Sequence, residues 1–413
     1  MSQAMDIGET PLSELNVADP DLWDSQQFWP ILERMRREDP VHYCTDSAYG
    51  PYWSVTKHKD ILSVEANHAT FSSLSELGGV VIHDDFAFEL SGYTLEGFIT
   101  MDPPRHGEQR GAVSGIVARP NLEHFEKTIR ASTTALLDDL PVGQEFDWVD
   151  AVAVELTTQM LATLFDFPYE DRAKLTRWSN VATTEPGLGI IATHEERVKE
   201  LKACLFYFTK LWRTRKDNEG GFDLVSMLSQ SPATAKMNPM NFLGNILLLI
   251  VGGNDTTRNT MSGAICAFDK FPAELEKLKA DPSLIDNAIS EIIRWQTPIA
   301  HMRRTALADA EIGGKQIKKG DKVVMWYASG NRDETMFEDA DNFDITRKNA
   351  RRHLSFGFGV HRCMGLRLAE LQLRVLLDEI LKRWSRIEIV GEPVRIKSNF
   401  VHGFESLPVR IIP

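Results

Sequence analysis

Phe356-Gly357-Phe358-Gly359-Val360-His361-Arg362-Cys363-Met364-Gly365 is the stretch on which the reading of this chain turns. Three glycines within ten residues permit positive φ and let the backbone come close to a flat ligand. An apolar-periodic run follows, with Leu366, Leu368, Ala369, Leu371, Leu373, Leu376, Leu377 and Ile380, and predicts a helix beginning at Cys363. A sulfur at a helix N-terminus faces free amide N–H groups and the positive dipole end, and both favour the thiolate that binds metal. His361 and Cys363 supply only two local ligands, short of the four a zinc site needs. The residues alone leave three readings open: a free cysteine in a glycine-rich turn, a single thiolate bound to haem, and another reactive thiol.

Outward from this segment, the chain of 413 residues is 43% hydrophobic and 25% charged, a globular composition that excludes wholesale disorder. Cys44, Cys204 and Cys266 lie far from Cys363 and form no CxxC pair, which excludes a disulfide framework and fits a reducing compartment. Asp and Glu outnumber Lys and Arg by 59 to 46, and the formal charge of −13 argues against a nucleic-acid partner. The first thirty residues are acidic and lack an apolar targeting core. Apolar runs such as Ile246 to Val251 fall far short of the ~20 residues that span a bilayer. The expectation is a cytoplasmic monomer with no membrane span.

Helical patterning dominates. Strand-like stretches are Tyr52–Val55, Lys322–Tyr327, Arg386–Val390, Val394–Lys397 and Pro408–Ile412. Four helices carry the functional argument. One begins at Asp102-Pro103-Pro104, where Asp can cap and Pro suits the first turn. A second runs from about Pro239 to Phe271, and a third from about Leu284 to Gln296 with its apolar stripe at Ile285, Ile289, Ile292 and Ile293. The fourth is the one expected from Cys363. No linker divides the chain, so the expected fold class is mainly α with small β-sheets (α+β), one domain over 1–413, with a small β-rich region formed by 40–70, 312–328 and 386–413.

With those residues in view, the segment around Cys363 resembles the haem-binding loop of the cytochromes P-450, with Phe, Gly, a basic residue, Cys and Gly at the family's positions. The resemblance implies the family's fold, a triangular helical prism with a long central helix over the haem. It implies haem b, with Cys363 as the proximal iron ligand. His361 would meet a haem propionate, and Phe356, Gly359 and Gly365 would bind the cofactor. Glu291-Ile292-Ile293-Arg294 matches the family's Glu-x-x-Arg, whose two charges share a helix face, and Arg347 fits the arginine that joins them.

Gly252-Gly253-Asn254-Asp255-Thr256-Thr257 sits midway along the second helix, where each glycine costs about 1 kcal/mol relative to Ala. A helix locally opened over the haem would supply the reason. Asp255 and Thr256 are the expected catalytic pair, relaying protons to dioxygen, the co-substrate. His106 and Arg110, at i and i+4, together with Arg304, would join His361 in neutralising the two propionates.

Segments such as Arg294-Trp295-Gln296-Thr297-Pro298, His301-Met302-Arg303-Arg304-Thr305 and Val324-Met325-Trp326-Tyr327 look like those of the bacterial alkane terminal hydroxylases of this superfamily. That likeness implies oxidation of the terminal methyl of medium-chain n-alkanes or fatty acids, a small hydrophobic substrate. Selectivity for a terminal C–H bond must be steric, imposed by a narrow apolar channel. Ile99, Leu248, Val251, Gly252, Ala300, Met302 and Val401 are the candidate contacts. The alternatives are a hydroxylase of a compact terpenoid, a peroxide-driven enzyme, and a haem sensor or electron carrier.

The chain carries no flavin motif or iron–sulfur cysteine set, so electrons from NAD(P)H would arrive through a separate ferredoxin and ferredoxin reductase. From Ile345 to Arg386, ten basic residues oppose three acidic ones, a local balance of +7 within a chain of −13. That reversal of sign would steer an acidic ferredoxin to the sulfur side of the haem.

Overall fold

The long apolar pattern forms one helix, Pro239–Lys270, of 32 residues. At 1.5 Å per residue it reaches about 48 Å, far enough to cross the molecule. Asn238 caps it, its side chain accepting from the N–H groups of Met240 and Asn241, and Pro239 occupies the first turn. Beyond Gly253 almost every residue to Phe268 is buried, polar ones included, which makes this the central element of the structure. The computed structural model describes residues 7–83, 95–184, 186–187, 189–217 and 220–413.

Helices Arg119–Asp138, Glu155–Phe165, Ala173–Thr183, His194–Arg215 and Leu366–Arg383 surround it. Two apolar clusters, one with Phe165, Phe208 and Leu243 and one with Trp148, Ile292 and Leu376, fill the space on either side. The third expected helix runs Ile285–Gln296, its four isoleucines all buried.

The main sheet has five strands: β1 (Val41–Cys44), β2 (Tyr52–Val55), β3 (Phe71–Ser72), β4 (His301–Ala306) and β5 (Lys322–Trp326), in the order β1-β2-β5-β4-β3. β2 lies parallel to β5, with Ser54 opposite Val324, and β4 lies antiparallel to β5, with Arg304 opposite Val323. Alternation along β4 separates Met302 and Arg304 from Arg303 on the other face. The expected single β-rich region therefore needs correction. Residues 386–389 pair with 408–412, which pair in turn with 145–147, in a separate three-stranded sheet. These strands bury Val409 and Ile411 against the cluster around Trp148, well separated in the pairing scheme from β1–β5.

Two helix starts also differ from expectation. The helix after the glycine-rich loop begins at Leu366, leaving Cys363 in the turn that precedes it. The helix expected at Asp102 begins at Arg105, and Asp102 does not cap it. The Asp102 carboxylate instead accepts from Ser72 Oγ at 2.5 Å and Ser73 N at 2.9 Å, tying β3 to the chain before that helix.

Glu291, Arg294 and Arg347 form one buried cluster. Arg294 donates to both Glu291 oxygens at 2.7 Å and to the carbonyls of Asn331, Ala340 and Asn342. Arg347 Nε reaches Glu291 at 3.0 Å. Every charge here is paired and hydrogen-bonded, the condition under which burying it is tolerable. The cluster binds the helix 285–296 to the irregular 331–347 segment that leads into the glycine-rich loop.

Candidate functional site

The loop at 356–365 is shaped by two left-handed glycines. Gly357 has φ +63° and Gly359 has φ +67°. A Cβ on Gly359 would lie 2.4 Å from the carbonyl oxygen of Glu65, and one on Gly357 would lie 3.5 Å from the Tyr327 hydroxyl. The loop is thus pressed against the C-terminal end of helix His58–Ala66, where no side chain has room. Cys363 N–H donates to Phe356 O at 2.8 Å and closes the turn.

Burial pushes the Cys363 thiol above its ordinary value, while the N–H groups of Gly365 and Leu366, with Arg110 and Arg362, pull it back down. Although the cysteine precedes the helix, its sulfur still meets the first free amides of Leu366–Arg383, the source of thiolate stabilisation expected from the sequence. Phe356 is half-buried beside His353, and Gly365 begins the helix with open space where a Cβ would stand.

Beside this loop lies a cationic cluster. The His106 and His361 rings are 4.3 Å apart. His361 Nε2 meets Ser73 Oγ at 3.0 Å, whereas His361 Nδ1 and His106 Nε2 are buried with no hydrogen-bond partner among the described residues. Burial, reinforced by Arg304, His106 and Arg110, pushes His361 down to about 2, and burial with Arg110 lowers His106. Arg110 donates to the carbonyl of Arg362 at 2.6 Å. Two orphaned imidazole nitrogens among two arginines call for an anionic group with several acceptor oxygens.

Arg304 is buried and donates to Glu65 Oε2 at 3.1 Å and to the carbonyl of Arg303 at 2.7 Å. Tyr327 donates its hydroxyl to the other Glu65 oxygen. Sequence reading found Arg304 but missed Glu65, Tyr327 and Ser73. Glu65 and Arg304 are 239 residues apart, and no local pattern announces the contact.

On the central helix, Gly252 is exposed and a Cβ there would meet nothing within 4 Å, although the helix crosses the interior. Gly253 faces the other way, and a Cβ on it would stand 2.8 Å from Leu161. The expected local opening of the helix is absent: the α-helix is continuous, and Thr256 Oγ1 donates to the Gly252 carbonyl at 2.9 Å. The half-buried Thr256 lies one turn from Gly252, beside that open space. Asp255 is fully buried and points elsewhere. Its carboxylate accepts from Ser179, Thr183 and Asn254, each at 3.1 Å, and pairs with Arg258 at 3.1 Å. These contacts tie the central helix to helix Ala173–Thr183.

Of the apolar candidates, Ile99, Leu248, Val251 and Met302 are half-buried, while Ala300 and Val401 are buried in the core and present almost no accessible surface. Ile299 and Val401 form an isolated bridge, so the two segments approach through backbone. Ile99 sits in the short turn Phe98–Thr100, which Asn245 on the central helix fixes by accepting from Phe98 N at 2.8 Å. Gly97 crosses Gly244 there, and a Cβ on Gly97 would be 2.8 Å from the Gly244 carbonyl.

A model of the cytochrome P450 family matches residues 190–408, more than half of the chain. The chain belongs to the cytochromes P450. Its structure is similar to that of cytochrome P450-153 from Novosphingobium aromaticivorans, with a TM-score of 0.89 and 47% identity, covering 96% of this chain and 99% of that one. Linalool 8-monooxygenase of Pseudomonas putida is 36% identical over 96% of this chain and 99% of its own length. Methyl-branched lipid omega-hydroxylase of Mycobacterium bovis is 30% identical over 98% of this chain and 97% of its own.

Membership makes this P450 a haem-thiolate monooxygenase that uses dioxygen. The residues around Cys363 fit that cofactor: a glycine-opened loop, a sulfur facing helix amides, and orphaned imidazole nitrogens beside two arginines. Among the described residues no helix is long and apolar enough to cross a membrane.

On the sulfur side, much of the local positive charge is spent within the protein. Arg347, Arg374, Lys382, Arg383 and Arg386 pair with Glu291, Asp286, Glu379, Asp138 and Glu388. Arg351 and Arg367 make no ion pair among the described residues, and with Arg119 they line an open groove of about 480 Å³. Glu370 lies in the same groove, its carboxyl raised by burial against the pull of Arg351, Arg362 and Arg367.

Proposed function

We propose that this P450 hydroxylates the terminal methyl of medium-chain n-alkanes or fatty acids. The observation that carries this reading is that four of the candidate contacts are apolar and partly accessible. Ile99, Leu248, Val251 and Met302 are apolar and partly accessible, and the turn that carries Ile99 is fixed by the Phe98–Asn245 hydrogen bond and the Gly97–Gly244 crossing. A chain end packed against these side chains would gain about 0.8 kcal/mol per buried CH₂. The likeness to a methyl-branched lipid omega-hydroxylase supports the same outcome.

In this reading Cys363 would bind the haem iron through its thiolate, and His106, Arg110, Arg304 and His361 would hold the haem carboxylates, with Phe356, Gly359 and Gly365 shaping the loop around the cofactor. The bound haem supplies the oxidising chemistry. Thr256 holds a proton at Oγ1 by bonding to the Gly252 carbonyl and can turn it toward the open side. Asp255 serves as the proton reservoir behind it, and reaches Thr256 only by leaving Ser179, Thr183 and Arg258. Electrons come from NAD(P)H through a ferredoxin and its reductase, docking where Arg351, Arg362 and Arg367 make no ion pair among the described residues, and the protein acts as a cytoplasmic monomer.

Incubation of the reconstituted system with octane, decane and dodecanoic acid tests the substrate assignment. Terminal alcohols as the main products are expected, and internal alcohols would overturn it. A second reading, hydroxylation of a compact terpenoid, draws on the 36% identity to linalool 8-monooxygenase. Faster turnover of linalool than of octane would favour it.

A further inference from the structure

We infer that Glu65 is a positioning residue for the haem, a buried counter-charge that aims Arg304 and cancels part of its charge. Glu65, Arg304 and Tyr327 are each at most 3% exposed, so their mutual contacts replace water almost completely. Glu65 receives Tyr327 on one oxygen and Arg304 on the other, so its carboxylate cannot rotate without losing a bond. Arg304 is consequently fixed from behind, with its Nη1 on the Arg303 carbonyl and its Nη2 on Glu65. Arg304 stands near enough to His361 and His106 for its positive field to reach both. Glu65, bonded to the same guanidinium, offsets that field.

The main chain of Glu65 has a second part in the same place. Its carbonyl oxygen is the atom against which Gly359 is pressed. One residue therefore sets both the position of the glycine-rich loop and the charge of the arginine beside it. Removing its charge while keeping its shape separates these two roles, because Glu65→Gln leaves the backbone contact intact.

The inference rests on Arg304 and His361 meeting the haem carboxylates. Removing one negative charge beside the arginine that would meet a haem carboxylate favours the ferrous form, by up to about tenfold in the ferrous-to-ferric ratio, which is 59 mV for a one-electron couple.

Spectroelectrochemical titration of haem-loaded Glu65→Gln provides the test. A reduction potential more positive than wild type, equivalent to a threefold to tenfold higher ferrous fraction, is expected with haem occupancy retained. An unchanged potential at full occupancy overturns the inference. If Glu65→Gln does not accumulate as folded protein, the pair Arg304→Gln and Glu65→Gln/Arg304→Gln decides. Arg304→Gln alone should lose haem to apomyoglobin faster than wild type, because it strands a buried carboxylate as well as removing a partner. The double variant should retain haem longer than Arg304→Gln, and a double variant no better than Arg304→Gln overturns the role of Glu65. Wild-type haem retention and potential in Arg304→Gln would instead overturn the underlying assignment of Arg304.

Discussion

Lowering the pH from 7.5 to 5.5 should destabilise this protein through its buried histidines. Burial pushes His301, His353 and His402 each down to about 3. His301 gives the clearest case. Its Nδ1 donates to the Asn399 carbonyl at 2.9 Å while its Nε2 accepts from Ile82 N–H at 3.1 Å, so the fold uses the neutral ring at both ends. Protonation would set two donors against each other at Ile82.

In the unfolded chain a histidine titrates near 6.5. A folded value below that means the unfolded state binds the proton first. The stabilisation is present above 6.5 and is lost as pH falls through it. Each histidine then forfeits about 1.3 kcal/mol by pH 5.5, and three together about 4 kcal/mol. With an unfolding entropy of about 2.1 cal/mol/K per residue, that corresponds to a fall of about 4–5 °C in Tm. Carboxylates held low, such as Glu379 at about 2, lose stability only below their ordinary range and leave this window to the histidines. Differential scanning calorimetry of the haem-loaded protein across the series is the assay, with His301→Gln expected to reduce the slope by about a third. A Tm constant to within about 1 °C between pH 7.5 and 5.5 would refute the reasoning.

Cys363→Ala should abolish the thiolate-type spectrum of the reduced, carbon-monoxide-bound protein, and its persistence would remove Cys363 from the iron. Thr256→Ala, which deletes the hydroxyl bonded to Gly252, should raise NADH consumption per product severalfold, read by oxygen uptake against product yield. Gly359→Ala must seat a Cβ 2.4 Å from the Glu65 carbonyl at positive φ, so haem content on purification should collapse. Arg347→Met strips one partner from the fully buried Glu291 and should cost about 3–5 kcal/mol of stability, measured by urea titration.

The haem loop and the Glu291–Arg294 pair were legible because residue type and spacing there nearly dictate geometry. Gly357 and Gly359 do adopt positive φ, and positions three apart on a helix do meet. The orientation of Asp255 was not legible. Its neighbours Ser179 and Thr183 lie more than seventy residues away on another helix, and the sequence motif says only that an acid precedes an alcohol. Likewise the pairing of β2 with β5 joins residues near 54 and 324, and an alternating pattern specifies a strand's faces but not its partner. Asp102 preferred two serine partners over the cap its sequence position offered, a tertiary contact overriding a local one.

The crossing of Gly97 over Gly244 bears on how this scaffold could be retuned. Backbone meets backbone there, and a Cβ on Gly244 would lie 2.6 Å from the Glu96 carbonyl. The turn that carries Ile99 therefore has no slack: pushing it outward would break the Phe98–Asn245 hydrogen bond, and nothing can be inserted beneath it. Libraries aimed at a different substrate have little to gain from loop grafts at 95–101. The freedom lies in side-chain volume at Ile99, Leu248 and Val251, and at Gly252, where a methyl group would meet nothing within 4 Å and would not disturb the helix that bears it.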